Sequence, residues 1–106
     1  MWIFLNDAFL SVVADKADPR GDRLLVRVHR AGDIERVFPD AEVFRVAGSD
    51  YAHRAWVPRR QVGEALAARV EGIDYPNFKS SINDSDFHDA AMQVWGAMHR
   101  LQQRSG

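Results

Sequence analysis

The stretch Leu24-Leu25-Val26-Arg27-Val28-His29 alternates from Leu25 on, directly after the turn-forming cluster Asp18-Pro19-Arg20-Gly21-Asp22. A period of two puts Leu24, Val26 and Val28 on one face of a strand and Leu25, Arg27 and His29 on the other. Before the turn, Phe9-Leu10-Ser11-Val12-Val13-Ala14 is apolar and β-branched, as strands are. Two such runs joined through Pro and Gly form an antiparallel hairpin. Trp2 to Leu5 extends its first strand, with Asn6-Asp7 as a bulge or second turn.

Downstream residues supply what covers the hairpin. Gly32-Asp33 followed by Ile34, Val37 and Phe38 reads as an N-cap and one or two helical turns, ended by Pro39. Glu42 to Ala47 reads as a third strand, and Gly48-Ser49-Asp50 turns it into a fourth, Tyr51 to Val57. Arg45, Arg54 and Trp56 are expected on the face that carries Arg27. Pro58 suits the first position of a helix. Val62, Ala65, Leu66, Arg69, Val70 and Ile73 then recur at spacings of three and four, the stripe of an amphipathic helix. Tyr75 precedes Pro76 and is driven out of helical geometry, so this helix should stop at about Ile73. Asn83 to Asp86 offer N-caps to a last helix striped by Phe87, Ala91, Val94, Met98 and Leu101, with Arg100 and Arg104 suiting its negative end.

The element order is β-β-α-β-β-α-α. It predicts one α+β domain over residues 1–106. The expected architecture is a four-stranded antiparallel sheet with helices on one face. It is a permuted ferredoxin-like arrangement (β-β-α-β-β-α) plus a C-terminal helix; a plain meander covered by helices is the alternative. The composition is that of an ordinary globular chain. The absence of cysteine excludes disulfides, thiol catalysis and cysteine-ligated metal. A formal net charge of −1 gives no global field to recruit nucleic acid or an anionic membrane. No apolar run approaches the roughly 20 residues of a membrane span, and Met1 to Leu5 lacks a signal peptide's basic start. A cytosolic protein without cofactor is expected.

Several segments carry a resemblance. Met1-Trp2-Ile3-Phe4, Phe9-Leu10-Ser11-Val12-Val13, Leu24-Leu25-Val26-Arg27, Tyr51-Ala52-His53-Arg54-Ala55, Ile73-Asp74-Tyr75-Pro76-Asn77-Phe78-Lys79, Val94-Trp95 and Leu101-Gln102 together resemble a family of small bacterial and phage proteins with no known activity. The resemblance spans nearly the whole chain and is sharpest between the last two helices. It implies a single domain and carries no function. The stretch Phe38-Pro39-Asp40-Ala41 is abbreviated relative to that pattern, which implies a short first helix.

Candidate sites are few. Residues 73–79 form either a structured corner, with Tyr75 and Phe78 plugging the core, or a binding segment presenting Asp74, Tyr75, Asn77 and Lys79. Arg27, His29, Arg45, Arg54 and Trp56 form a basic sheet face with one aromatic, but no RNP1-like pattern accompanies them. His88 and His99 stand eleven residues apart, about 16 Å along a helix, too far for one metal. No metal site is expected: Asp84, Asp86, His88 and Asp89 read as a solvated acidic helix start. No serine sits in GxSxG or SxxK, and the glycines form no phosphate loop. A small non-enzymatic interaction or regulatory module is therefore expected, with a protein partner or a second copy of the chain bound through Asp74, Tyr75, Asn77, Lys79, Arg54 or Trp56. The alternatives are nucleic-acid binding through the sheet face, and an enzyme built on Asp74, Asn77 and Lys79. Trp95 flanks the last helix's stripe and would serve as an anchor if exposed.

Overall fold

Strand β2 (Phe9–Ala14) and strand β3 (Arg23–Val28) pair antiparallel with Ser11 opposite Arg27 and Val13 opposite Leu25 in the computed structural model, which describes all 106 residues. The hairpin read from the alternation is therefore present. Its leading segment does not extend β2. Trp2–Phe4 is a separate strand, β1, folded back antiparallel on β2 through a turn closed by Leu5 N–H donating to the Ala8 carbonyl at 2.9 Å. The sheet thus has five strands, one more than expected. Asn6-Asp7 is a second turn because the chain must reverse to bring Trp2 opposite Ser11.

The remaining strands are β4 (Phe44–Arg45) and β5 (His53–Pro58), and the order across the sheet is β1-β2-β3-β5-β4 with all neighbours antiparallel. Between β3 and β4 the chain forms helix α1 (Asp33–Val37), and after β5 it forms helix α2 (Arg59–Glu71). Pro58 is the last residue of β5 rather than the first of the helix. Both helices cover one face: Ile34, Phe38 and Val62 join Leu10, Val12, Val26, Val28, Ala55 and Val57 in a single buried cluster. Each Val, Leu, Ile or Phe among them contributes about 1.5–3 kcal/mol when fully buried, so this cluster fixes the register of β2, β3 and β5. A slip of one residue would turn the cluster's strand side chains to the other face.

Polar groups at the helix starts and ends lock the layers. Gly32, at φ 95°, supplies the left-handed entry to α1 that a side chain would strain. The next residue, Asp33, is buried; its carboxylate accepts the Phe9 N–H at 3.2 Å and pairs with Arg36 at 2.7 Å and Arg30 at 3.4 Å. Arg69 on α2 makes a forked pair with Asp7 at 2.8 and 3.2 Å and donates to the Arg36 carbonyl at 3.3 Å. One guanidinium so ties α2 to the β1–β2 turn and to α1.

Two expectations about these elements need correction. The third strand was expected over 42–47 and is only Phe44–Arg45; Ala41 and Val43 before it pack against the core cluster outside the ladder. The stripe of α2 is buried at Val62 and half-buried at Ala65, Leu66 and Arg69, but Val70 and Ile73 are exposed. The helix stops at Glu71, with Gly72 closing it, two residues before the expected end.

The chain divides into two compact units, Met1–Ile73 and Asp74–Gly106. Everything above belongs to the first. The second holds a single 3-10 turn, Lys79–Ser81, and helix α3 (Ser85–Arg104), whose first turn is capped by Asp84 accepting the Asp86 N–H at 3.0 Å. Along the expected stripe only Phe87 and Ala91 are buried; Val94, Met98 and Leu101 are exposed, Met98 by 58%. No helix is long and apolar enough to cross a membrane.

Candidate functional site

The sheet face opposite the core carries the chemistry. The strand registers align Trp2, Ser11, Arg27, Arg54 and Phe44 in one row across all five strands, and Val13, Leu25 and Trp56 in the next. Arg54 and Trp56 thus share the face of Arg27, as expected. Arg45 does not. It stands opposite His53 in the ladder, one position out of phase with Phe44 and Arg54, and so faces the other side.

Two arginines directly opposite each other in a sheet repel. Here each is held by groups of its own chain. Arg27 donates from Nη2 to Ser11 Oγ at 2.8 Å and lies over the Tyr51 ring at 4.6 Å. This placement leaves its buried Nε without a hydrogen-bond partner, a cost offset by a cation–π contact that can reach about 2 kcal/mol when desolvated. Arg54 donates from Nη2 to Ser49 Oγ at 2.5 Å and from Nε to the Tyr51 carbonyl at 3.2 Å. Asp50 stands 3.8 Å from Arg54 and answers the paired charge. The Tyr51 N–H donated to the Asp50 carboxylate holds its pKa below the ordinary 3.8, and the Ser49 hydroxyl and the two arginines lower it further.

A stack of rings runs beside this pair. His29 lies nearly parallel to Tyr51 at 4.3 Å and to Phe9 at 6.0 Å, and Phe9 meets Phe4 at 4.6 Å. Its Nδ1 sits 2.8 Å from the Asp50 carbonyl. A carbonyl only accepts, so Nδ1 carries the proton. The middle of the face is accordingly a hydrogen-bonded and stacked array in which the buried Arg27 Nε lacks a partner. Its margins are different: Trp2, Phe44 and Trp56 are 74%, 40% and 36% exposed. The Arg23 guanidinium lies 4.7 Å over the Trp56 ring.

Residues 75–79 make contacts within the second unit. Asn77 Oδ1 accepts the Ser80 N–H at 3.0 Å and its hydroxyl at 3.2 Å, capping the 3-10 turn. Lys79 Nζ rests 4.3 Å over the Trp95 ring, which stacks on His99 at 5.0 Å. Tyr75 and Phe78 meet edge to face at 6.0 Å. Asp74 is exposed. Asn77 and Lys79 are thus engaged within their own unit. Trp95 is half exposed even with one face covered by Lys79. No three His, Asp or Glu side chains come together as a metal site would require.

Sequence reasoning missed Trp2, Ser11, Phe44, Asp50 and Tyr51 as members of the sheet-face array. The alternation within each strand was visible, but only the pairing of the strands brings Trp2, Ser11 and Phe44 into one row with the two arginines, and Asp50 and Tyr51 reach the array from the β4–β5 connection. Comparison with protein-family models, with curated proteins and with solved structures finds no match for this chain.

Proposed function

We propose that the protein is a non-enzymatic interaction module that binds a protein partner through the open face of its sheet, with Trp56 and Arg54 at the centre of the contact. The observation that carries this reading is the exposure of Trp2, Phe44 and Trp56 around a hydrogen-bonded middle. Large aromatics on a pre-ordered backbone lose little conformational entropy on association, and they are enriched where proteins bind proteins. A nucleic-acid reading has less support. Arg45 lies on the other face, and Arg27 and Arg54 are engaged by Ser11, Ser49 and Tyr51. We also infer that β2, β3, β5 and β4 form a permuted ferredoxin-like sheet with β1 added at one edge. The strand order and the passage from β3 through α1 to β4, with β5 between them, support that inference.

Capture of a partner from a lysate by the intact chain tests the functional reading. Trp56→Ala and Arg54→Ala should each abolish capture while the circular dichroism spectrum stays unchanged, and Lys79→Glu and Tyr75→Ala should leave it intact. The opposite pattern would move the binding surface to residues 73–79. Capture untouched by all four variants would remove the sheet-face reading.

A further inference from the structure

Helix α3 keeps one apolar line open to solvent along most of its length. Ala90, Val94, Ala97 and Leu101 recur at spacings of four, three and four, and all of them are exposed. The neighbouring line through Phe87 and Ala91 is buried at its start, and Met98 and Trp95 lie to that side. Asp86 and Arg104 flank the open line at its two ends. They are eighteen positions apart, about five helical turns, and so stand on the same side of the helix. Both are exposed, and neither enters an ion pair. The open line is complementary to its own reverse. Turned end for end about a point between Trp95 and Gly96, Leu101 falls level with Ala90, Val94 with Ala97, and Arg104 within one residue of Asp86. Large side chains then meet small ones, and a cation meets an anion. The helix dipole accounts for an acidic start and a basic end. It accounts neither for their place beside the apolar line nor for the exchange of large and small residues.

We propose that α3 pairs antiparallel with α3 of a second copy of the chain along Ala90, Val94, Ala97 and Leu101, with Asp86 of each copy meeting Arg104 of the other. The occupant follows from the symmetry of the pattern. A two-fold interface requires that residue i contact j wherever j contacts i, and the large-to-small and acid-to-base exchanges both obey that rule about nearly one point. A parallel copy would instead set Asp86 against Asp86 and Arg104 against Arg104. The alanines let the two backbones approach, and Val94 and Leu101 fill the space over them. The ion pairs lie at the rim, where they fix direction more than they add affinity. A single helix of this length spans roughly 30 Å, so the interface is small and the association weak. In the separate chain none of these residues is buried, so their substitution should change association and not the fold. Trp56 and Arg54 take no part, so the pairing and the sheet-face contact can fail separately.

Sedimentation equilibrium of the full chain, from micromolar to millimolar concentration, should show a monomer–dimer equilibrium. Leu101→Glu puts a charge into the seam and should abolish the dimer while the circular dichroism spectrum stays unchanged; Val94→Glu should do the same. Asp86→Arg and Arg104→Asp each turn two symmetry-related attractions into repulsions, so each alone should weaken association by about tenfold. An equimolar mixture of those two variants should restore it, because each copy then supplies the charge that the other lacks. A monomer at every concentration would overturn the proposal and leave the line to a different partner. A dimer that survives both Leu101→Glu and Val94→Glu would also overturn it, since the copies would then meet elsewhere. So would charge variants that associate as tightly as the wild type, or a mixture no tighter than its components. Trp56→Ala should leave the dimer intact, and its loss would move the contact between copies to the sheet.

Discussion

Asp50 shows how an exposed residue can be tied to the structure around it. Its carboxylate accepts the Tyr51 N–H at 2.9 Å and faces the Arg27–Arg54 pair, and its pKa lies below the ordinary 3.8. A carboxylate whose folded pKa is depressed adds stability above its unfolded pKa, and that stability is lost as pH falls through the folded value. Asp50→Asn should therefore lower the urea midpoint at neutral pH. The difference from wild type should shrink as pH drops below 3.8 and vanish once both Asp50 states are protonated. A midpoint difference independent of pH would mean that the carboxylate's charge plays no part. Asn77, between the last two helices, belongs to the same scale. Asn77 was legible as a candidate from its position after Pro76, but a side chain three residues before Ser80 is also placed to cap a turn, and the structure uses it so. Composition cannot separate those two uses, since both need the same amide.

At the scale of elements, the strand and helix periodicities were visible and their burial was only partly so. The stripes of α2 and α3 have the same spacing as the buried face of any amphipathic helix, yet each is buried only in its first turns. Periodicity states which residues share a face; it does not state how far the opposing surface extends. Leu10 on β2 is fully buried, whereas Met98 on α3 is 58% exposed. Leu10→Ala should then cost about 2–5 kcal/mol through lost burial and the cavity left behind, and Met98→Ser should stay within about 0.5 kcal/mol. Urea denaturation of both variants distinguishes the two positions. A large loss for Met98→Ser would show that the second half of α3 is covered in solution.

For the molecule as a whole, every strand pairing and the entire ten-residue buried cluster lie within Met1–Ile73. The remaining residues supply one turn and one helix. A fragment ending at Ile73 should therefore keep dispersed amide resonances and unfold cooperatively, because its core needs no side chain beyond that point. Loss of dispersion, or a gradual melt, would show that residues 74–106 complete the fold.

The chain's own order of residues determined the hairpin, the short helix at Gly32-Asp33, the two longer helices and the α+β class. Each of these rests on local chemistry: period-two alternation, a left-handed glycine, proline's missing N–H, and stripes at three and four. The fifth strand and the truncated β4 were decided only by tertiary structure. So were the reversed face of Arg45 and the row that joins Trp2, Ser11, Arg27, Arg54 and Phe44. The physical reason is that register is a relation between strands. A shift of one residue costs nothing in local propensity but exchanges the buried and exposed faces, so only the collective burial of Leu10, Val26, Val28, Ala55 and their neighbours selects it.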